Sequence, residues 1–376
     1  MTVGSLKNIF NLGVKELFSL RRDVVLLALV AWAFSLSIYT AATGMSHDLR
    51  NAAIAIVDED RSQLSRRIQQ AFLPPFFQEP QVISFAGIDP GMDFGDYTFV
   101  VVIPPNFEAD VLAGRAPALQ VNIDATAMMQ AGIGDGYIQS IISQEIATFL
   151  RGSGQVRTAV ELEARYAFNP NIESSWFTSI MQVINNVTML SIVLTGAALI
   201  REREHGTIEH LLVMPLTPFE IMMAKVWANG LVILVAVALC LLLVVETLLQ
   251  VPVAGSRSLF FLGLVFYLFF ATALGIFLAT LARSMPQFGL LFMLVALPMN
   301  LLSGGQTPIE SQPEWLQTIM EAVPSKHFVS FAQAILFRDA GIEIVWPQFA
   351  LVGGIGALFF AFAALRFRAS IAEMQG

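Results

Sequence analysis

Six stretches of the chain carry apolar residues in runs too long and too unbroken for a strand or a surface helix. They cover residues 24–43, 177–200, 226–245, 259–281, 284–303 and 349–365. A helix that crosses a bilayer needs about 20 largely apolar residues, so each predicts a transmembrane span. The fifth is the weakest, interrupted by Pro298 and Asn300. The first follows basic residues and ends on small ones, as a secretory signal does. Its run exceeds the roughly 7–15 residues of a signal core, so it reads as an uncleaved anchor.

Between spans the pattern changes. In residues 44–175, two short β-rich apolar runs occur at 53–57 and 99–103, and 119–123 alternates. Residues 62–72 and 106–112 read as helices, and a long helical stretch at 137–165 leads back to the membrane. Pro74-Pro75 and Pro104-Pro105 punctuate the block, which predicts a small α/β domain. A second hydrophilic stretch, 304–346, carries an apolar stripe of Phe328, Phe331, Ala332, Ile335 and Leu336, the mark of a helix dipping back toward the membrane. At the N-terminus, Leu6, Ile9, Phe10, Leu17 and Leu20 share one helical face opposite Asn8, Asn11, Lys15 and Ser19. Such a helix either lies in the membrane interface or packs against the bundle.

Composition supports the same picture. Of 376 residues, 56% are hydrophobic and 13% charged, with mean hydropathy +0.67; soluble domains carry about 25% charged residues. Net charge is −8, which argues against a nucleic-acid partner. Cys240 is the single cysteine, so neither a disulfide framework nor a thiolate metal cluster is available. Lysine and arginine set the orientation. Lys7, Lys15, Arg21, Arg22, Arg201, Arg203, Lys225, Arg283, Arg366 and Arg368 fall on one side, against Arg257, Lys326 and Arg338 in short loops on the other. Both termini are therefore expected in the cytoplasm. Residues 44–175, with 16 acidic and 8 basic side chains and no lysine, are expected outside.

The resulting expectation is a polytopic α-helical membrane protein with six transmembrane helices and a large external α/β domain between helices 1 and 2. Residues 1–23 form a cytoplasmic amphipathic helix and 24–43 the first span. Residues 44–175 are the external domain. Residues 176–376 supply five further spans, a cytoplasmic loop at 201–225 and an external re-entrant loop at 304–346.

That cytoplasmic loop is the most informative segment. It reads Arg201-Glu-Arg-Glu-His-Gly-Thr-Ile-Glu-His-Leu-Leu-Val-Met-Pro215 and continues through Thr217-Pro-Phe-Glu220 to Lys225. Gly206 permits a sharp turn, Thr207 can cap a short helix, and Pro215 ends it. Thr217, Pro218 and Glu220 form a capping box that launches the third span. The product is a short helix held crosswise under the bundle, either a docking element or a well-capped solvated connector.

The stretch Glu202-Arg-Glu-His-Gly-Thr-Ile-Glu-His-Leu-Leu-Val-Met-Pro, followed by Glu220 and Lys225, resembles the cytoplasmic signature of ABC transporter permeases of the ABC-2 type. Leu302-Ser-Gly-Gly with Pro308-Ile-Glu and Pro313-Glu-Trp-Leu is similar to the segment after that family's fifth span. Ile56-Val-Asp-Glu-Asp, Val102-Ile-Pro-Pro-Asn-Phe and Val121-Asn-Ile-Asp resemble its large external domain. The resemblance covers nearly the whole chain and is to bacterial inner-membrane permeases. It implies that Glu202, Arg203, Glu204, Gly206, Thr207, Glu209, Pro215, Glu220 and Lys225 belong to a coupling helix and its flanks, contacted by an ATPase. It further implies two ABC ATPase subunits, a second permease subunit as homo- or heterodimer, and an exported hydrophobic or amphipathic substrate. A periplasmic adaptor is a further partner of this kind. No cofactor is expected, and ATP hydrolysis belongs to the partner rather than to this chain.

Other chemistry is thin. Leu302-Ser-Gly-Gly-Gln306 matches the signature peptide of ABC ATPases, but no Gly-x-x-x-x-Gly-Lys-Ser/Thr loop accompanies it, so it reads as a coincidence. His205 and His210 diverge by about 140° on a helix and do not suit a shared metal. Asp58, Glu59 and Asp60 read as a strand-end turn rather than a cation site. The resemblance implies that spans two and five line a central pathway, which makes Asn185, Asn186 and Asn300 candidate pathway residues, with helix–helix hydrogen bonding as the alternative. Ionisable groups are nearly absent within the spans, which points to energy supplied by a partner. The rival readings are a membrane receptor with an acidic external ligand-binding domain and a membrane-embedded hydrolase. Six spans exceed what the first needs, and no paired catalytic groups support the second.

Overall fold

The structure, a computed structural model, describes residues 3–44, 49, 51–124, 128–152, 168, 173–206 and 216–375. They separate into two compact units, Met1–Gly44 with Ser175–Gly376, and Met45–Ser174. The chain opens with helix α1 (Val3–Arg22). Asp23 then caps α2 (Val24–Ala33) by accepting the Leu26 N–H at 3.0 Å. The first span is not one helix. It breaks at Phe34 and Ser35 and resumes as α3 (Leu36–Gly44).

The second unit runs β1 (Ile54–Asp58), α4 (Gln63–Ala71), β2 (Gln81–Val82), α5 (Ile88–Asp93), β3 (Phe99–Ile103), α6 (Phe107–Leu112), β4 (Gln120–Ile123) and α7 (Met128–Gly152). Its sheet has the order β2-β1-β3-β4, with β1 parallel to both β2 and β3, and β4 antiparallel to β3. Ile54, Ile56, Phe99, Val101 and Ile103 pack on one face against Leu64, Ile68, Ile138 and Ile142 of α4 and α7. Ala55, Val57, Val100 and Val102 bury the other face with Ile88. Burial on both faces explains why β1 and β3 read as unbroken apolar runs. The edge strand β2 is two exposed residues long, leaving no pattern to detect.

Two carboxylates of this unit's acidic turn, Asp58 and Asp60, are engaged within the fold. Asp58 accepts the Arg61 N–H at 2.8 Å and the Ser65 hydroxyl at 2.8 Å, while Asp60 accepts the Phe107 and Glu108 N–H groups at the start of α6. The long helix expected over 137–165 begins earlier, at Met128, and is described to Gly152; residues 153–165 lie outside the described residues.

In the first unit the spans continue as α8 (Ser174–Glu204) and α9 (Pro218–Leu239), which runs on as a π-helical stretch, Cys240–Leu248. Next come α10 (Arg257–Leu281) and α11 (Met285–Leu302). Two shorter helices follow, α12 (Glu314–Glu321) and α13 (Pro324–Arg338), and then α14 (Ile342–Gln375). Among the described residues, the first span together with α8 to α11 and α14 makes six helical segments long and apolar enough to cross a membrane. Spans two and four are central, with 78% and 67% of their most apolar windows buried, against 11% for span five. They meet through the Thr188 hydroxyl and the buried Tyr267 hydroxyl, 2.7 Å apart. Pro298 does not interrupt span five, which stays helical through it. The stripe of α13 is buried: Phe328 stacks on Tyr267 at 4.0 Å and Phe331 meets Phe349 of span six edge-on.

Candidate functional site

Four consecutive side chains at the end of span two each hold a different element. Arg201 pairs with Asp23, at the start of span one. Glu202 accepts from Lys15 Nζ of α1 at 3.2 Å and lies 2.7 Å from Lys225 Nζ of span three. Arg203 Nη1 donates to the Ala282 carbonyl, just past span four, at 2.6 Å. Glu204 Oε1 accepts the Met285 N–H that opens span five at 3.0 Å. A helix end leaves carbonyls without partners and a helix start leaves N–H groups without them, so Arg203 and Glu204 close one of each. Gly206 follows with φ +66°, and a Cβ there would meet nothing within 4 Å. The turn needs a glycine for its backbone angle, not for space.

The returning flank is equally tied down. Thr217 Oγ1 accepts the Glu220 N–H at 3.3 Å and Glu220 Oε2 accepts the Thr217 N–H at 2.8 Å, with Pro218 in the first turn. The expected capping box is thus present. Asn8 of α1 donates to the other Glu220 oxygen at 3.4 Å. Lys225 is buried, its side chain 2% exposed, and donates to Glu16 Oε1 at 3.0 Å as well as facing Glu202. A buried ammonium is tolerated only when paired, and here two carboxylates flank it. Trp227 Nε1 donates to the Ile9 carbonyl at 3.1 Å, and Gly13 lies so close that a Cβ would come within 2.1 Å of the indole. The amphipathic N-terminal helix therefore packs against span three. Burial raises the Glu16 carboxyl above its usual range, opposed by the Lys225 ammonium. The Leu26 N–H, and then the Arg201 guanidinium, hold the Asp23 carboxyl below its usual range. Lys15, Glu16, Leu26, Arg201, Glu202 and His205 border a cavity of about 260 Å³ beside this network.

Of the residues singled out from the sequence, Glu202, Arg203, Glu204, Gly206, Glu220 and Lys225 are brought to this one end of the bundle. Thr207, Glu209 and Pro215 lie outside the described residues, as does His210. His205 Nδ1 lies 2.9 Å from the Arg201 carbonyl, and no metal-binding group of His, Cys, Asp and Glu occurs among the described residues. The three asparagines differ. Asn185 is buried. Asn186 donates to the Ala33 carbonyl at 2.6 Å, where α2 ends, and accepts from Gln182 at 3.2 Å. Asn300 Oδ1 is buried without a hydrogen-bond partner among the described residues. Ser303 and Gly304 of the ATPase-like pentapeptide end span five, Gly304 with φ +92°.

Glu16 and Asp23 carry no motif and are absent from the sequence-derived set. A signal for Glu16 exists: it shares a helical face with Ile9, Gly13 and Leu20, a carboxylate on an otherwise apolar stripe. Asp23 stands directly before an apolar run, as an N-cap does.

The chain is also similar to known proteins over most of its length. The chain is 56% identical over 370 residues to the inner membrane transport permease YhhJ of Escherichia coli (strain K12), covering 98% of this chain and 99% of that protein. It is 29% identical over 336 residues to the "Probable multidrug ABC transporter permease YbhR" of the same strain, covering 88% and 90%. To the "Probable multidrug ABC transporter permease YbhS" it is 28% identical over 257 residues, 68% of each chain. With six apolar helical segments among the described residues and an inner-membrane permease 56% identical to it, this is a multi-pass inner-membrane protein. The ABC-2 family transporter model matches residues 24–365, and the chain belongs to that family.

Proposed function

We propose that this chain is the membrane-spanning subunit of an ATP-driven exporter, paired with a second permease above two ATPase subunits, and that it moves a hydrophobic or amphipathic substrate outward. Residues 207–215 are the element an ATPase pushes. One observation carries the reading: the four side chains of residues 201–204, two residues ahead of that element, engage spans one, three, four and five and the N-terminal helix. A displacement at 207–215 thereby reaches most of the bundle through short polar contacts rather than through a flexible loop. The "Probable multidrug" names of YbhR and YbhS support a drug-like substrate. The unit at Met45–Ser174 then stands outside the membrane, where it receives substrate or an adaptor. No covalent chemistry is assigned to this chain.

Gly206 gives the test. Its φ of +66° suits glycine and tolerates asparagine, whereas a β-branched residue there is strained by roughly 1–3 kcal/mol. Gly206→Val is expected to insert normally but to lose most copurifying ATPase, and Gly206→Asn to retain it. Equal ATPase recovery with both variants would remove residues 207–215 from the coupling role.

A further inference from the structure

We propose that the N-terminal helix is a working part of the coupling apparatus, with Glu16 as the positioning residue that clamps the two flanks of the 207–215 element together. This rests on the coupling reading above and adds a component that reading does not contain. The observations are contacts of α1 with both flanks. On the flank leaving span two, Lys15 donates to Glu202 at 3.2 Å. On the flank entering span three, Asn8 reaches Glu220, the Ile9 carbonyl accepts from Trp227, and Glu16 accepts from Lys225. Lys225 also faces Glu202 at 2.7 Å, so one ammonium links all three elements.

Charge arithmetic makes the device specific. Lys15 and Lys225 balance Glu16 and Glu202, and the Glu16 side chain is only 12% exposed. Removing the Glu16 charge leaves Lys225 with Glu202 alone, while Glu202 is still shared with Lys15. The flanks then separate more easily, and a push on the element bends the neck instead of moving spans two and three as a unit. Gly13 serves the same end, since any side chain there would strike Trp227 and lift α1 off span three. In this proposal the work of α1 is to keep the lever stiff.

The test uses the full chain copurified with its ATPase in nanodiscs, with Cys240→Ala and one reporter cysteine at Asn300. The rate of maleimide labelling is compared with and without ATP and vanadate. Glu16→Lys is expected to keep its bound ATPase and its ATP hydrolysis, yet to lose the nucleotide-dependent change in labelling by roughly tenfold or more, the loss that breaking a buried charge pair from one side brings. Adding Lys225→Glu restores two cations and two carboxylates in the cluster and is expected to recover much of the change. Retention of the full change in Glu16→Lys with ATPase bound, or no recovery in the double variant, would overturn the clamp while leaving the coupling reading intact. A parent protein that binds no ATPase, or shows no nucleotide-dependent labelling, would overturn the coupling reading and the clamp with it. Glu16→Gln, which keeps the shape of the side chain, separates the charge from packing: it is expected to match the lysine variant in direction with normal membrane yield.

Discussion

Lys225 looks, in the sequence, like an ordinary basic residue at the cytoplasmic border of a span, one of those that set orientation. Its burial between Glu16 and Glu202 gives it a different job. Those partners lie 209 and 23 positions away in the chain, and helical periodicity reports which face is buried, not what covers it. Asp23 is the complementary case, a cap that also receives Arg201 from 178 residues away. Because its folded pKa is depressed, its charge stabilises the base of the bundle fully above the ordinary aspartate range. That contribution is lost as pH falls through and below that range. Asp23→Asn keeps a capping oxygen but not the charge. Thermal unfolding of the purified permease should show the variant less stable than the parent at neutral pH. The gap should close on acidification below about pH 4, as expected for an aspartate with a lowered pKa. A gap that is constant with pH would mean that the Arg201 pair adds nothing beyond the cap.

Among whole elements, span one is where pattern and structure part. Its apolar run predicts one helix, and the structure has two, with the Ala33 carbonyl at the junction accepting from Asn186. In a bilayer a backbone group without an internal partner must find one on a neighbouring helix. That gives Asn186 a packing role which a list of polar residues in spans could not distinguish from a pathway role. Asn300 is the opposite, with its buried oxygen lacking a partner among the described residues. Asn186→Leu should therefore destabilise the permease by about 0.6–2 kcal/mol, the range for interhelical hydrogen bonds in membranes. Asn300→Leu should be neutral or slightly stabilising, since it removes an unsatisfied buried group. Thermal shifts in matched nanodiscs, together with transport per permease, measure both. Asn300→Leu that keeps its stability but loses transport would support the pathway role, and a stability loss equal to that of Asn186→Leu would assign it to packing. Elements with strong local signals were legible: the capping box at Thr217–Glu220, the buried strands β1 and β3 and the stripe of α13 all follow from short sequence patterns. The break in span one, the two-residue β2 and the grip of α1 on span three depend on tertiary partners, and no local pattern encodes them.

For the whole molecule, orientation follows from where the basic side chains gather. The contacts gather Lys15, Arg201, Arg203 and Lys225 at one end, and Arg257 pairs with Glu246 at the other. Short loops rich in lysine and arginine stay on the cytoplasmic side, so the end with the 201–225 loop should be internal and Met45–Ser174 external. A lone native thiol makes this testable, because Cys240→Ala leaves a chain without cysteine. The structure also guides the choice of probes: Ser65 is fully buried and bonded to Asp58, so labelling would fail there on either side. Gln70 and Ser311 are exposed on segments expected outside, and Asn11 and Arg283 on segments expected inside. Single cysteines at Gln70 and Ser311 should react with an impermeant maleimide in intact cells whose outer membrane admits the reagent. Those at Asn11 and Arg283 should react only after the inner membrane is opened. Labelling of Arg283 from outside would invert the molecule. It would place the charged base, α1 and the 207–215 element away from cytoplasmic ATP, and both the coupling reading and the clamp would have to be abandoned.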